Sequence, residues 1–388
     1  KYKKITILSP PFKIKNLNRI NYIIKKPSFD KEFLDNYALE YRRYFEEWDA
    51  IFQKYNIKLH VTWNIFSYYH LVIHDVLRKR NGVSVIYQHA FNGFPQQVCQ
   101  TSCDIFLGFS KFCVDNQSKQ NSTIKYNLIT GLLSGIGVSH LKKEAKVIRN
   151  NLKEKGVKNI ICIFDENSLS DDRFHTGDDL QIENYEYLLE EILKNKELGI
   201  IFKPKSPNFA EKRLLKISTL LKKGMETGRC LFLKDNVFRE TSKQPVLLAG
   251  LASDICIHSH LCAGTAAIEC ASFNIPTILI DREKSPKHIL NELPKGKVVF
   301  KNWVEAINAT NKFFNDNKKD KKFGYWGDMI NDLGFLNDGL GAKRKGQILT
   351  NLHYNLNNGL SRDKAIGNTV NWYAEKWGHE KVIEGKGI

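Results

Sequence analysis

Apolar residues along this chain fall into short dense runs, separated by polar stretches in which hydrophobic positions recur every three or four residues. The runs suit buried strands and the recurrences suit amphipathic helices. Residues 29–56, rich in aromatics and acids, predict a helix. "IKLHVTW" predicts a strand, "YYHLVIHDVLRKR" a helix ending near Gly82, and "VSVIYQH" the next strand. "CDIFLGFS" is another strand, followed by a helix from about Lys111 and the strand "KYNLITG". After the charged helix "HLKKEAKVIRNNLKEKG" a second series begins: strand "NIICIFDE", helix "YEYLLEEILKN", strand "LGIIFKPK", helix "AEKRLLKISTLLKK", strand "CLFLKD" and helix "PVLLAGLA". It closes with "SDICIHS", a polar loop, a helix over Thr265 to Ser272, and the strand "PTILID" beyond Pro276, which ends the helix.

Alternation of this kind implies parallel sheets with helices on both faces. The expected class is therefore α/β, with two facing Rossmann-like, doubly wound domains at 1–140 and 141–330. The tail, 331–388, reads as a Gly-rich loop and two amphipathic helices carrying Trp372 and Trp377, with Asp338 and Gly339 in the loop. The 388 residues exceed one ordinary core, in keeping with two domains.

Charge adds a constraint on partners. The chain carries a formal net charge of +17, which favours anionic partners, although a lysine-rich, AT-biased genome would give the same excess. Basic residues are dispersed among acids, and neither zinc-finger spacing nor an RNP motif occurs, so nucleic acid is not an expected partner. No apolar run nears the ~20 residues of a membrane span. The eight cysteines form no CxxC pair and read as reduced, buried thiols of a cytoplasmic protein.

Neither GxGxxG nor GxxxxGK[ST] follows a strand, so phosphate chemistry must come from a less regular site. "HSHLCAGTAAIEC" supplies one. Gly264 and Thr265 stand at a helix start, where free N–H groups and the helix dipole attract phosphate, and Glu269 follows one turn later. A carboxylate there suits both hydroxyls of a ribose; an ordinary N-cap with a solvated glutamate is the simpler reading. His258, Ser259 and His260 precede the helix, and either imidazole suits phosphate binding or acid catalysis. Lys203 and Lys205 end a neighbouring strand, with at most one reaching the cleft. Asp165 and Glu166 open a long acid-rich loop and suit a nucleophile or general base. No metal is expected. Gln88, His89 and Asn92 lie at a strand end of the first domain and suit an acceptor.

With these residues in place, the chain resembles the GT-B glycosyltransferases, through the order of its elements and through Gly264, Thr265, Glu269 and Pro276. The resemblance implies nucleotide-sugar binding by the second domain and tail helices that brace the first. It points towards bacterial enzymes of capsule and lipopolysaccharide synthesis. A narrower stretch, "FDEN", "YEYLLEEIL" and "FKPK", is similar to the retaining β-Kdo transferases, which implies CMP-Kdo as donor and Asp165 as nucleophile. The expected partners are a nucleotide sugar, a glycan or lipid-linked glycan acceptor and, peripherally, an anionic membrane. A nucleotide-sugar epimerase, a CDP-glycerol-type polyol-phosphate transferase and a non-enzymatic module for anionic polymers are the competing expectations.

Overall fold

The computed structural model describes residues 31–66, 68–133, 137–166, 168, 177–233, 244–262, 264–336 and 338–386. The chain forms α1 (Lys31–Tyr55), β1 (Leu59–Thr62), α2 (Tyr69–Lys79), β2 (Val83–Tyr87), β3 (Ser102–Gly108), α3 (Lys111–Lys119), β4 (Thr123–Ile129) and α4 (Val138–Lys153). It continues through β5 (Asn159–Phe164), α5 (Asp178–Lys194), β6 (Leu198–Lys203), α6 (Pro207–Arg213), α7 (Ser218–Glu226), β7 (Cys230–Phe232) and α8 (Val246–Ala252). Then come β8 (Ile255–His258), α9 (Thr265–Ser272), β9 (Thr277–Ile280), β10 (Val299–Phe300) and α10 (Trp303–Asn315). The last elements are α11 (Met329–Asp332), α12 (Gly341–Asn357), α13 (Arg362–Trp377) and β11 (Val382–Glu384).

These elements build two α/β units of the expected Rossmann-like class, followed by C-terminal helices. The second sheet runs β10-β9-β8-β5-β6-β7, all parallel. Counted from β5, this is the 3-2-1-4-5-6 order of doubly wound sheets, whose direction of winding reverses between β5 and β8. Its strands are mostly apolar because both faces are covered. Ile161, Ile163, Ile200 and Phe202 face α5 and α10, whereas Cys162, Phe164, Ile201 and Cys256 face α4 and α8.

The first sheet runs β1-β2-β3-β4-β11, with β11 antiparallel to β4. One face meets α2, where His74 contacts Ser84 at 2.6 Å. The other, made by Val83, Val85, Ile105, Leu107 and Leu128, is covered by Ile348 and Leu352 of α12 and by Ile366, Val370 and Tyr373 of α13. Trp372 and Trp377 pack at the margin of this cluster. All cysteines are free, and all but Cys262 are buried. No described helix is long and apolar enough to cross a membrane.

The sequence pattern differs from the fold in several places. Residues 210–223, expected as one helix, divide into α6, a 3-10 turn at Leu214–Ile217 and α7. Both β10 and α10 were outside the predicted elements, as was β11. Much of the acid-rich loop after Glu166, residues 167 and 169–176, lies outside the described residues, as do residues 1–30.

Candidate functional site

The winding of the second sheet reverses between β5 and β8, so the chain leaves their carboxyl ends on opposite faces and opens a crevice there. Phe164 ends β5 in register with Lys203 of β6 and His258 of β8. The next residues on each strand are therefore Asp165 and Glu166, Pro204 and Lys205, and Ser259 and His260, gathered along one edge.

Asp165 is buried and fully engaged. Its Oδ1 accepts from the Lys205 backbone N–H at 2.6 Å, and its Oδ2 accepts from Tyr185 Oη and Arg213 Nη2, each at 2.7 Å. Burial pushes its pKa up, against the opposing pull of the Arg213 guanidinium. Arg213, the last residue of α6, also donates to Ser168 Oγ at 2.7 Å. Asp165 thus binds three segments of the crevice wall to one another, a positioning geometry that leaves neither oxygen unengaged. Glu166 is paired with the Lys205 ammonium across the edge.

His260 lies beneath the crevice rather than in it. It is fully buried, its Nε2 lies 2.5 Å from Gln181 Nε2 and its Nδ1 lies 3.2 Å from Glu283 Oε1. The amide must donate to Nε2, so Nδ1 carries the hydrogen that reaches Glu283, a tautomer assigned from the bonding pattern. Glu283 Oε2 also accepts from the Leu261 N–H, at 3.1 Å. Ser259, equally buried, accepts from Asn184 Nδ2 at 2.8 Å, and Asn184 Oδ1 in turn accepts from Trp303 Nε1 at 2.8 Å. This network fixes the turn that leads into α9. His258 is buried as well, and burial beside His260 holds its pKa down to about 3. An imidazole with that pKa is uncharged at neutral pH, so it does not supply the positive charge that phosphate binding by His258 would use.

Three residues remain on the α9 side. Gly264 takes the N-cap position, and among the described residues no side chain caps the N–H groups of the first turn. A Cβ on Gly264 would lie 2.9 Å from Leu290 Cδ1, so the helix tip is closely packed on that side. The Thr265 hydroxyl accepts from the Phe91 N–H at 2.9 Å, a link to the first domain in place of a cap on its own helix. Its own hydrogen stays available for donation. Glu269, one turn on, is half-buried, and burial lifts its pKa to about 7 against the opposing charge of Lys203. Lys203, itself buried, donates to Pro204 O at 3.1 Å. Because β6 ends at Lys203, the strand alternation does not extend to Lys205, and the two lysines serve different places: one faces Glu269, the other Glu166.

The first sheet presents its carboxyl edge to this crevice. Phe91 and Phe109 share an apolar cluster with Leu261, Ala267, Ile268 and Leu290 of the second unit. The Ile289 N–H donates to Gly93 O at 3.1 Å. Gln88 serves this edge as a brace: its Oε1 accepts from the Phe109 N–H at 2.9 Å and its Nε2 donates to Ala90 O at 3.0 Å. The Asn92 carbonyl accepts from Asn116 Nδ2 at 3.0 Å. His89 is the exposed member of the three. Its ring lies 4.5 Å from that of Trp63, and partial covering by its neighbours together with the charge of Lys205 holds its pKa below the ordinary histidine value. Trp63, Phe66, Gln88, His89 and Asn92 line one pocket.

Arg213, Tyr185, Gln181, Asn184, Glu283 and Trp63 all shape the crevice without having been expected from the sequence. Asn184 and Gln181 did carry a signal, being amides on the apolar face of α5, where only a satisfied polar group is tolerated.

No protein-family model matches the chain, and no curated protein matches it. Among solved structures it is similar to MnaA of S. aureus with UDP, at 12% identity over 86% of this chain and 84% of that one, with a TM-score of 0.47. It is similar to Anabaena HepE in complex with UDP and glucose, at 12% identity over 78% and 81%, with a TM-score of 0.46. A UDP-GlcNAc 2-epimerase of Methanocaldococcus jannaschii, in complex with UDP-GlcNAc and UDP, is 14% identical over 81% of each chain, with a TM-score of 0.44. Likeness at this level carries no functional weight.

Proposed function

We propose that this chain is a glycosyltransferase that takes a nucleotide sugar in the crevice between its two units. The observation that carries the reading is the pairing of a helix tip at Gly264 that no described side chain caps with a half-buried carboxyl of raised pKa, Glu269, one turn further on, at the point where the sheet reverses its winding. The first-turn N–H groups and the Thr265 hydroxyl receive the phosphates, and Glu269 receives the ribose hydroxyls. Lys203 and Lys205 offset the charge that grows on the leaving nucleotide, in the place a metal would take.

On the acceptor side His89 is the candidate base. An imidazole with a lowered pKa is uncharged at neutral pH and ready to take the proton of an attacking hydroxyl. Glu166, held by Lys205, faces it electrostatically. The narrower form of the reading has CMP-Kdo as donor and Asp165 as nucleophile, within capsule or lipopolysaccharide synthesis; it rests on the sequence resemblance. It also requires Asp165 to give up one of its three hydrogen-bond partners. On either form the protein works in the cytoplasm, its +17 charge drawing it to an anionic membrane that carries a glycan or lipid-linked acceptor.

A thermal-shift panel of CMP, CDP, UDP and GDP tests the reading, because a ligand that binds only the native state raises the Tm. One nucleotide is expected to raise the Tm, and Glu269→Gln to lose the response. If none of the four moves the Tm, the reading fails. A response confined to CMP supports the Kdo form, and one confined to CDP the polyol-phosphate alternative. Turnover of a donor without any acceptor would identify an epimerase instead.

A further inference from the structure

Lys345, on α12, is buried in a place where the donor reading has no use for it. Its side chain is 7% exposed, and its Nζ has no hydrogen-bond partner among the described residues. An ammonium carries three donors, and burying it without an acceptor is unfavourable. What it has instead are two aromatic faces, with Nζ 5.8 Å from the Tyr87 ring centroid and 5.1 Å from that of Phe109. Ring faces replace only part of the lost hydration.

The position is held firmly. Arg344 beside it is paired with Asp338, donates to Thr130 O at 3.3 Å and lies 4.5 Å over the Trp377 ring. Gly341 at the start of α12 meets Leu132 so closely that a Cβ would stand 1.9 Å from its carbonyl oxygen. Lys345 therefore reaches the carboxyl edge of β2 and β3 from a fixed backbone. It lies within electrostatic reach of His89, which also feels Lys205 and Glu166 of the second unit. Lys205 is answered by Glu166, but among the described residues no carboxylate offsets Lys345, whose pKa burial pushes down to about 8.

We propose that Lys345 binds an anionic group, a phosphate or carboxylate, on the acceptor. Its place on the first sheet's side of the crevice assigns the anion to the acceptor and not to the donor. The assignment rests on the transferase reading for the word acceptor, while the anion site itself stands on Lys345 alone.

The test uses the full chain at constant ionic strength, with inorganic phosphate as the probe and the Tm as the readout. Wild-type protein is expected to show a saturable rise. Lys345→Met should weaken the apparent phosphate affinity by at least about tenfold. Lys345→Arg should hold it within about threefold, since the charge is kept. Without phosphate, Lys345→Met should melt above the wild type, because an unanswered buried charge has been removed. A phosphate response absent from wild type, or equal in wild type and Lys345→Met, overturns the proposal. In a second arm, Lys345→Met should leave the affinity for the responding nucleotide unchanged. A parallel loss there would move Lys345 to the donor phosphates and overturn the acceptor assignment. If no nucleotide binds either protein, the donor reading falls while the phosphate arm still decides the site.

Discussion

Glu269 is half-buried with a raised pKa, and the consequence is a pH dependence with two signs. Its pKa rises from an ordinary 4.5 to about 7, so between those values the folded protein keeps a proton that the unfolded chain has released. Stability therefore falls as pH rises through this window, by about 1–3 kcal/mol from this group. Urea unfolding of Glu269→Gln at several pH values should show that slope removed. Ribose hydroxyls, by contrast, need the ionised acceptor, so nucleotide affinity should climb about tenfold per pH unit up to 7 and then level off. Isothermal titration at pH 5.5, 6.5 and 7.5 (roughly one unit apart) would read this directly. Asp165 behaves differently because Arg213, Tyr185 and the Lys205 N–H already hold it. Asp165→Asn leaves Arg213 buried against a neutral amide, and a stability loss of about 3 kcal/mol is expected in urea titrations. Stability equal to the wild type would mean that the ion pair does not form.

At the scale of elements, the decisive contact is between the loop that follows β2 and the segment around His288. Gly93 lies so close that a Cβ would stand 2.2 Å from the imidazole Nε2, while its carbonyl receives the Ile289 N–H. Gly93→Ala should force the loop outward and lower stability by about 1–3 kcal/mol, readable as a shift of the urea midpoint. Strands and long helices were legible in the sequence because burial on both faces leaves dense apolar runs such as "NIICIF" and "LGIIFK". Elements that depend on a distant partner were not. β10 has two residues and β11 three, too few for any period, and each exists only through pairing with β9 or β4. α10 is a different miss: its apolar stripe and the Asn302 that caps it, accepting from the Glu305 N–H at 2.9 Å in the fold, were both visible as residues in the sequence. At the site, residues at strand ends could be singled out because the strands themselves were visible. Which of them faced outward could not: either His258 or His260 suited phosphate binding or acid catalysis, yet Gln181 of α5 and Glu283 hold His260 inside, and His258 is buried at the end of β8, accepting from the His260 N–H.

For the whole molecule, the tail is structural to the first unit. Leu352 is fully buried between α12 and the first sheet, beside Ile348, Ile366 and Tyr373. Leu352→Ala should reduce stability by about 2–5 kcal/mol. Hydrogen exchange should place the loss in the strands of the first sheet and leave those of the second protected; uniform loss across both sheets would contradict this.

The antiparallel pairing of β11 with β4 joins residues that lie more than two hundred positions apart in the chain. On the ribosome, the second unit is contiguous and can close as soon as it has emerged. The earlier-made strands must wait, with one oily face uncovered, until α12 and α13 arrive. Synthesis order and completion order are therefore reversed, and the interval between them is when a chaperone, or another nascent chain, would find this protein most adhesive.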